Sequence, residues 1–295
     1  MRNDATDVQT SEKLGHEVNE IDLEKLISIH GREPITSILE AITSGVNCLA
    51  LGESHASPAM RPQRMLTKLL GHISRRFPTR PIVCCIEEYG DVFQDDVDRY
   101  VQDGRPTGVI ASLSPEHPFI YHQLLLDFAH TVHHPSGMFV KCADISYDGT
   151  GKKPEYFSAD PCTLRRIQEW YKRRDANLHT TTATPAQNGT NIVVLYCGND
   201  HLSRREKFGG SHSKLYELLP AESLLVLRQQ MMRPQTALSV PLLVRTGTVP
   251  EIDTSPTGQP HIYPYHLSDT EYSQRYDDYD GTIFIPRTPL NYFDT

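Results

Sequence analysis

The sequence lacks several features that mark common functional classes. Its longest apolar stretches, such as residues 192–197 and 224–227, are far too short to cross a bilayer. It has no Lys/Arg-rich run and carries a net charge of −8, which argues against a nucleic-acid partner. Residues 1–20 are polar and lack the apolar segment of a signal peptide. We therefore expect a disordered leader over residues 1–20 and a cytoplasmic-type protein without a membrane span.

A disulfide framework and a serine-hydrolase motif are also missing. Most of the cysteines lie inside apolar, strand-like runs, and no two of them form a CxxC pair. This pattern predicts buried, reduced thiols. No Gly-x-Ser-x-Gly segment is present, which disfavours a serine nucleophile. The six cysteines are Cys48, Cys84, Cys85, Cys142, Cys162 and Cys197.

Apolar strands alternate with amphipathic helices through most of the chain. The predicted strands are residues 48–52, 81–86, 138–145, 191–197 and 223–228, with 241–245 and 282–285 as later strands at a sheet edge. The predicted helices are residues 22–30, 34–43, 65–73, 91–101, 118–133, 160–179 and 213–219, and residues 180–191 are predicted to form a polar loop. This order indicates an α/β domain with a mainly parallel central sheet flanked by helices on both faces. We expect one such domain over residues 21–295.

Carboxylates and imidazoles follow the predicted strands. In an open α/β sheet, ligands bind outside the carboxyl ends of the strands. A single polar residue there is usually a helix cap or a solvated loop residue, but Glu and His are poor caps. The set therefore predicts a functional site at this edge. Its members, strand by strand, are Glu53 and His55, then Glu87 and Glu88, then Asp144, then Asn199, Asp200 and His201.

Arg174 occupies an apolar position of the predicted helix 160–179. The apolar stripe of that helix contains Leu164, Ile167, Tyr171 and Leu178, and Arg174 completes the spacing. Two alternatives follow. The side chain snorkels to solvent, or it turns inward and pairs with a carboxylate or an oxyanion. Asp175 would then orient Arg174 or bind elsewhere. By contrast, the acidic run at residues 277–280 is predicted to be a solvated loop.

Six short motifs occur in the order found in a known superfamily. The segment Leu49-Ala50-Leu51-Gly52-Glu53-Ser54-His55 resembles the Gly-Glu-x-(x)-His signature of the erythromycin esterases, ChaN-like haem-binding proteins and TIKI-type metalloproteases. The later motifs are Ile86-Glu87, Ala143-Asp144-Ile145, Arg173-Arg174-Asp175, the strand that ends at His201, and residues 279–285. The single residue between Glu53 and His55 is closer to the ChaN-like form.

The resemblance implies a fold, a site and a biological setting. It implies a single erythromycin-esterase/ChaN-like α/β domain in which Glu53, His55, Glu87 and His201 are functional. Arg64 stands nine residues after His55, at the place of an active-site arginine in the esterases. A polar leader before such a domain is also similar to type III secreted effectors of plant-pathogenic bacteria. That likeness predicts secretion into a host cell and a role in virulence.

The combined hypothesis is a hydrolase of unknown substrate, either a small molecule or a peptide. His55 is the general base that activates water, held by Glu53 or Glu87. Arg64 or Arg174 stabilises the oxyanion, and His201 positions the water or acts as a second acid or base. The cofactor is unknown: either none is required, or a divalent metal is bound.

Two alternatives stay open at this point. One is a metal-dependent, protease-like hydrolase with Glu53, His55, Glu87 and His201 as ligands. The other is a protein without enzymatic activity, which binds haem or another ligand or acts as an effector through contact with host proteins.

Overall fold

The computed structural model describes residues 33–53, 61–113, 122–149, 161–204, 213–231, 242–244 and 279–285. The predicted leader, the predicted helix 22–30 and His55 lie outside the described residues.

Seven strands form one sheet in the order β3-β2-β4-β1-β5-β7-β6. Every neighbouring pair is parallel except β6 and β7, which are antiparallel. The prediction of a mainly parallel α/β sheet is therefore confirmed. The strands are β1 (Cys48–Glu53), β2 (Ile82–Tyr89), β3 (Met138–Asp144), β4 (Ile192–Gly198), β5 (Leu224–Met231), β6 (Leu242–Val244) and β7 (Gly281–Ile285).

Helices cover both faces of the sheet, and each face has its own apolar core. The helices of the described residues are α1 (Pro34–Thr43), α2 (Arg61–Arg76), α3 (Gly90–Asp103), α4 (Gly108–Ala111), α5 (Gln123–Thr131), α6 (Pro161–Ala186) and α7 (Leu215–Leu218). The core on one face contains residues of α1, α2, α3 and α5, and the core on the other contains residues of α6 and α7. None of these helices is long and apolar enough to cross a membrane.

Helix α6 is longer than the sequence predicts. It runs to Ala186, so the prediction of a loop over residues 180–191 is wrong for its first half. The hydroxyls of Thr182 and Thr184 donate to carbonyls one turn earlier, at 2.8 Å each, and so satisfy their polar groups inside the helix. Asn47 Nδ2 donates to the terminal carbonyl of Ala186 at 3.0 Å, which caps the helix from outside.

Strand β2 also exceeds its prediction, and this extension shapes the candidate site. The predicted strand ends at residue 86, whereas β2 continues to Tyr89 with an irregular register after Ile86. Glu87 and Glu88 are therefore inside the strand. Because successive side chains of a strand point to opposite faces, the two carboxylates serve different faces of the sheet.

The cysteine prediction is confirmed within the described residues. All six thiols are free, and the five in strands are buried, whereas Cys162 is exposed. Burial raises the pKa of Cys48, Cys84 and Cys85, so these thiols are neutral and form part of the core.

Candidate active site

Five charged side chains form a continuous chain at the carboxyl ends of β2, β3 and β4. Arg174 Nε donates to Asp144 Oδ2 at 2.5 Å, and Arg174 Nη2 donates to Glu87 Oε1. His201 Nε2 lies 3.2 Å from the same Glu87 oxygen, and His201 Nδ1 lies 2.6 Å from Asp175 Oδ1. The charges thus alternate from Asp144 to Asp175. Opposite charges so closely placed stabilise one another in a site shielded from water.

Arg174 points inward from α6. This resolves the two alternatives left by the apolar stripe, since a snorkelling side chain would not meet Asp144 and Glu87. The Arg174 guanidinium also lies 5.4 Å from the ring centroid of Trp170, one turn earlier on α6. Trp170 Nε1 donates to the carbonyl of Ile145 at 3.1 Å, which fixes this turn of α6 against the end of β3.

Glu87 is held by three donors. In addition to Arg174 and His201, the backbone N–H of Gly198 donates to Glu87 Oε2 at 2.6 Å. Gly198 is the last residue of β4, so the carboxylate bridges β4 and α6. A buried carboxylate requires such partners, because desolvation disfavours its charged form.

The two carboxylates beside His201 favour the charged form of its imidazole. Burial alone lowers its pKa, but the charge of Glu87 and the hydrogen bonds to Asp175 and Glu87 outweigh burial and raise the pKa to about 10. Both ring nitrogens face carboxylate oxygens, an arrangement that favours a proton on each of them. His179 Nε2 donates to the backbone carbonyl of His201 at 2.8 Å and ties α6 to the 3-10 turn Asn199–Leu202.

Burial raises the pKa of Asp144 to about 6, although the charge of Arg174 opposes this shift. Burial lowers the pKa of Arg174, but the charges of Glu87 and Asp144 raise it above its ordinary value. Arg174 therefore stays charged, and its two carboxylates share one cation. The backbone N–H of Ile145 adds a hydrogen bond to Asp144 Oδ1 at 2.7 Å.

Glu53 belongs to the opposite face of the sheet. Leu49, Leu51 and Glu53 are alternate residues of β1, so their side chains point to the same face of the sheet. Leu49 and Leu51 pack there in the core beneath α2. Tyr196 OH donates to Glu53 Oε2 at 2.5 Å, and Gln63 Nε2 of α2 donates to the same oxygen at 3.3 Å. Burial and the charge of Glu53 raise the pKa of Tyr196, so the phenol remains a donor. The structure thus joins Glu87 to His201 and holds Glu53 against Tyr196.

The remaining candidates have separate positions. Glu88 Oε1 lies 3.3 Å from His122 Nε2. Asn199 Nδ2 donates to the backbone carbonyl of Gln229 at 3.5 Å. The Arg64 side chain is exposed on α2 and contacts none of the described candidate carboxylates. A cleft shared by Glu53, His55, Glu87 and His201 stays a prediction, because His55 lies outside the described residues.

Several contributors to the site carry no sequence signal of function. Tyr196 lies inside an apolar strand and reads as a core residue. Gln63, His122 and His179 lie on helices among ordinary polar residues, and only the folded packing brings them to the strand ends. Successive residues of β4 alternate between the two faces of the sheet, with Val193, Leu195 and Cys197 on one face and Val194 and Tyr196 on the other. This alternation places Tyr196 on the face of Glu53, but it does not reveal the hydrogen bond between them.

Part of the acidic run differs from its prediction as a solvated loop. Asp280 is buried, and its carboxylate accepts from the Val226 N–H at 2.9 Å and from Arg204 Nη2 at 2.5 Å. The Arg204 guanidinium lies 4.2 Å from the ring centroid of Tyr216. Asp280 therefore anchors the segment before β7 to β5 and to the chain after the 3-10 turn.

Metal ligation was the main alternative for the predicted site residues. Within the described part of the chain, no group of three or more His, Cys, Asp and Glu side chains is arranged to hold a metal ion. Glu87 and His201, two of the predicted ligands, instead contact each other as an ion pair.

Comparison with known proteins identifies no family. No protein-family model matches the chain, and no curated protein matches it. Among solved structures, a succinoglycan biosynthesis protein matches with 10% identity and a TM-score of 0.58, over 92% of this chain and 97% of that one. At this identity the match shows a shared fold alone.

Other solved structures match with TM-scores below 0.5. ChaN of Campylobacter jejuni, described with cofacial haem, matches with 11% identity, a TM-score of 0.44, and 65% and 85% of the two chains covered. The type III effector HopBA1 matches with 12% identity, a TM-score of 0.43, and 72% and 91% covered. A bacterial protein toxin matches with 15% identity and a TM-score of 0.46 over 76% of this chain, which spans only 42% of that toxin.

Proposed function

We propose that the protein is a hydrolase that activates water at the carboxyl ends of β1, β2 and β4. The supporting observation is that the buried His201 ring lies between the carboxylates of Asp175 and Glu87. A buried, doubly hydrogen-bonded imidazolium is costly to maintain unless its charge is used, and perturbed groups of this kind concentrate at functional sites. We assign to His201 the role of proton donor or of fixed positive charge.

A division of roles follows from the charge of His201. With a pKa of about 10, His201 is already protonated at neutral pH and cannot serve as the general base. We assign the general base to His55, which lies two residues after the end of β1. His201 acts as the acid that protonates the leaving group, or as a positive charge beside the developing oxyanion. Asp175 keeps the imidazole charged and oriented.

Arg174 has a positioning role in this scheme. The Arg174 guanidinium forms ion pairs with Asp144 and Glu87. It therefore holds Glu87 in place, and we do not assign it to the oxyanion. Arg64 is exposed at the start of α2, and the sequence resemblance makes it the other candidate for contact with a substrate. Oxyanion stabilisation is accordingly assigned to Arg64 together with His201.

The substrate class and the setting are proposed on the sequence resemblance. A small molecule or a peptide is the substrate, and secretion by a type III system into a host cell is the proposed route. If the same hydrolysis used a metal ion, Glu87 would have to give up its contacts with Arg174, His201 and the Gly198 N–H in order to bind the ion. We favour the metal-free form because the Glu87 carboxylate already accepts from these three donors.

The proposal is tested by screening ester and peptide libraries in H₂¹⁸O. Hydrolysis incorporates ¹⁸O into the acid product, and His55→Ala should abolish that incorporation while the free energy of unfolding changes by less than about 1 kcal/mol. His133→Ala, at an exposed histidine, is the matched control. Metal content and EDTA sensitivity of the same preparation test the metal-dependent alternative. Full activity in His55→Ala would overturn the assignment of the base.

A further inference from the structure

Two buried glutamines on the α2 face of the sheet lack partners for their amides. Gln229 of β5 is 2% exposed and Gln63 of α2 is 3% exposed. Both amide atoms of Gln229 and the Oε1 of Gln63 have no hydrogen-bond partner in the described structure. Buried polar side chains are nearly always hydrogen-bonded, so amides in this state point to a ligand.

Both glutamines flank Glu53. Gln63 contacts it directly, since its Nε2 donates to Glu53 Oε2 at 3.3 Å. Gln229 flanks it by register: β1 and β5 are parallel with Gly52 opposite Arg228, so the next residues of the two strands are Glu53 and Gln229. Residues opposite each other on neighbouring strands share a face of the sheet. The two glutamines therefore flank the carboxylate, one from a helix and the other from the neighbouring strand.

A second carboxylate lies on the same face. Glu88 Oε1 is 3.3 Å from His122 Nε2, and the His122 ring packs edge-on against Tyr196 at 6.3 Å between centroids. Tyr196 in turn donates to Glu53. The ends of β2, β4, β1 and β5 thus place several acceptor oxygens in a row on this face of the sheet.

We propose that this row binds an organic cation, the guanidinium or ammonium group of a substrate side chain. Glu53 supplies the charge, and the Gln63 and Gln229 carbonyls accept N–H bonds from the cation. The Gln229 amide N–H groups donate to a carbonyl of the same ligand. An organic cation is favoured over a metal ion, since the described residues contain no cluster of three or more acidic, His or Cys side chains arranged for one. Taking the cation as part of the substrate rests on the proposed function.

Argininamide and citrullinamide are the probes for this site. They have nearly the same shape, but only argininamide carries a charged guanidinium. Argininamide should raise the melting temperature of the full chain in a saturable manner, and citrullinamide should leave it unchanged. Equal shifts with both probes, or no shift with either, would overturn the proposal.

Gln229→Met provides the decisive variant. Met keeps the length of the side chain and removes the unsatisfied amide, so the ligand-free melting temperature should rise by about 2–4 °C. The shift with argininamide should disappear. If Gln229→Met binds argininamide as the wild type does, the assignment of Gln229 is wrong.

Gln94→Met is the matched control. The Gln94 amide is satisfied, because its Nε2 donates to the Val140 carbonyl at 3.0 Å and its Oε1 accepts from the Cys142 N–H at 2.8 Å. This variant should melt at a lower temperature and keep the argininamide shift. A matching fall in Gln229→Met would show that its amide is satisfied and would overturn the proposal. None of these measurements needs turnover, so they can succeed or fail independently of the hydrolase proposal.

Discussion

Arg174 and Glu87 form a buried ion pair that joins helix α6 to strand β2 at the carboxyl edge of the sheet. The pair does not stand alone, since Arg174 also binds Asp144 and Glu87 also contacts His201. Removing one member of a buried pair leaves an uncompensated charge, which is far more destabilising than replacing both members.

The Arg174 pair predicts a non-additive stability effect. Arg174→Met should lower the free energy of unfolding by roughly 3–5 kcal/mol, because Glu87 and Asp144 lose their shared cation. Adding Glu87→Gln should recover part of that loss. Arg173→Met, at the exposed neighbouring arginine, should stay within about 0.5 kcal/mol of the wild type. Urea unfolding of the single and double variants measures these values, and strictly additive effects would contradict a direct contact.

The charge of His201 predicts a specific dependence of stability on pH. Its pKa is about 6.5 in an unfolded chain and about 10 in the fold. Because the folded pKa is the higher one, the stabilisation is fully present below about pH 6.5 and is lost as the pH rises toward 10. The free energy of unfolding should therefore fall across this window, and His201→Gln should show a smaller fall. His133→Gln is the control, and identical slopes in His201→Gln and the wild type would refute the prediction.

Asp144 should act in a lower pH window. Its pKa is raised to about 6 in the fold, above the ordinary value of 3.8, so the fold favours the protonated form. The associated stability is present below about pH 4 and is lost as the pH rises through 6. Asp144→Asn should remove this decrease and leave the decrease above pH 6.5 in place. Unfolding curves between pH 4 and pH 6.5 separate the two groups, and an unchanged decrease in Asp144→Asn would count against this assignment.

Gly52 should not tolerate a side chain. A Cβ at this position would lie 2.5 Å from Asn199 Oδ1 and 3.0 Å from Asn199 Cα, where the 3-10 turn closes over β1. Gly52→Ala should cost about 1–3 kcal/mol, because the turn that carries His201 must shift. Gly71→Ala in α2 has its nearest neighbour at 3.6 Å, so it should gain about 0.5–1 kcal/mol as a helical substitution. Thermal melts compare the two, and equal effects would contradict the close approach.

The sheet was predictable because its strands are nearly continuous apolar runs. The ends of helices and strands were less predictable where the folded structure supplies hydrogen-bond or ion-pair partners for polar residues. Glu87 reads as the residue after a strand, yet it continues β2 because α6 supplies Arg174. The threonines after Leu178 read as a loop, yet their hydroxyls bond within α6.

The sequence predicts that Glu87, Asp144, Arg174, Asp175 and His201 belong to one region, but it does not predict the division of the candidates between two faces. Glu53 and Glu87 both follow apolar runs, and the sequence predicts one cleft for them. Their parity within β1 and β2 places them on opposite faces, as their contacts with Tyr196 and Arg174 show. Partners such as Tyr196 depend on packing between distant segments, and no local pattern marks them.

The most direct test of the charged site is the ionisation of His201. Two-dimensional ¹⁵N NMR of the imidazole nitrogens, assigned by comparison with His201→Gln, reports whether one or both carry a proton. At pH 7.5 we expect a doubly protonated ring with a pKa of about 10, and a lower pKa in Asp175→Asn. A neutral ring that titrates near its ordinary value would contradict the ion pairs with Glu87 and Asp175, and with them the proposed acid of the hydrolytic site.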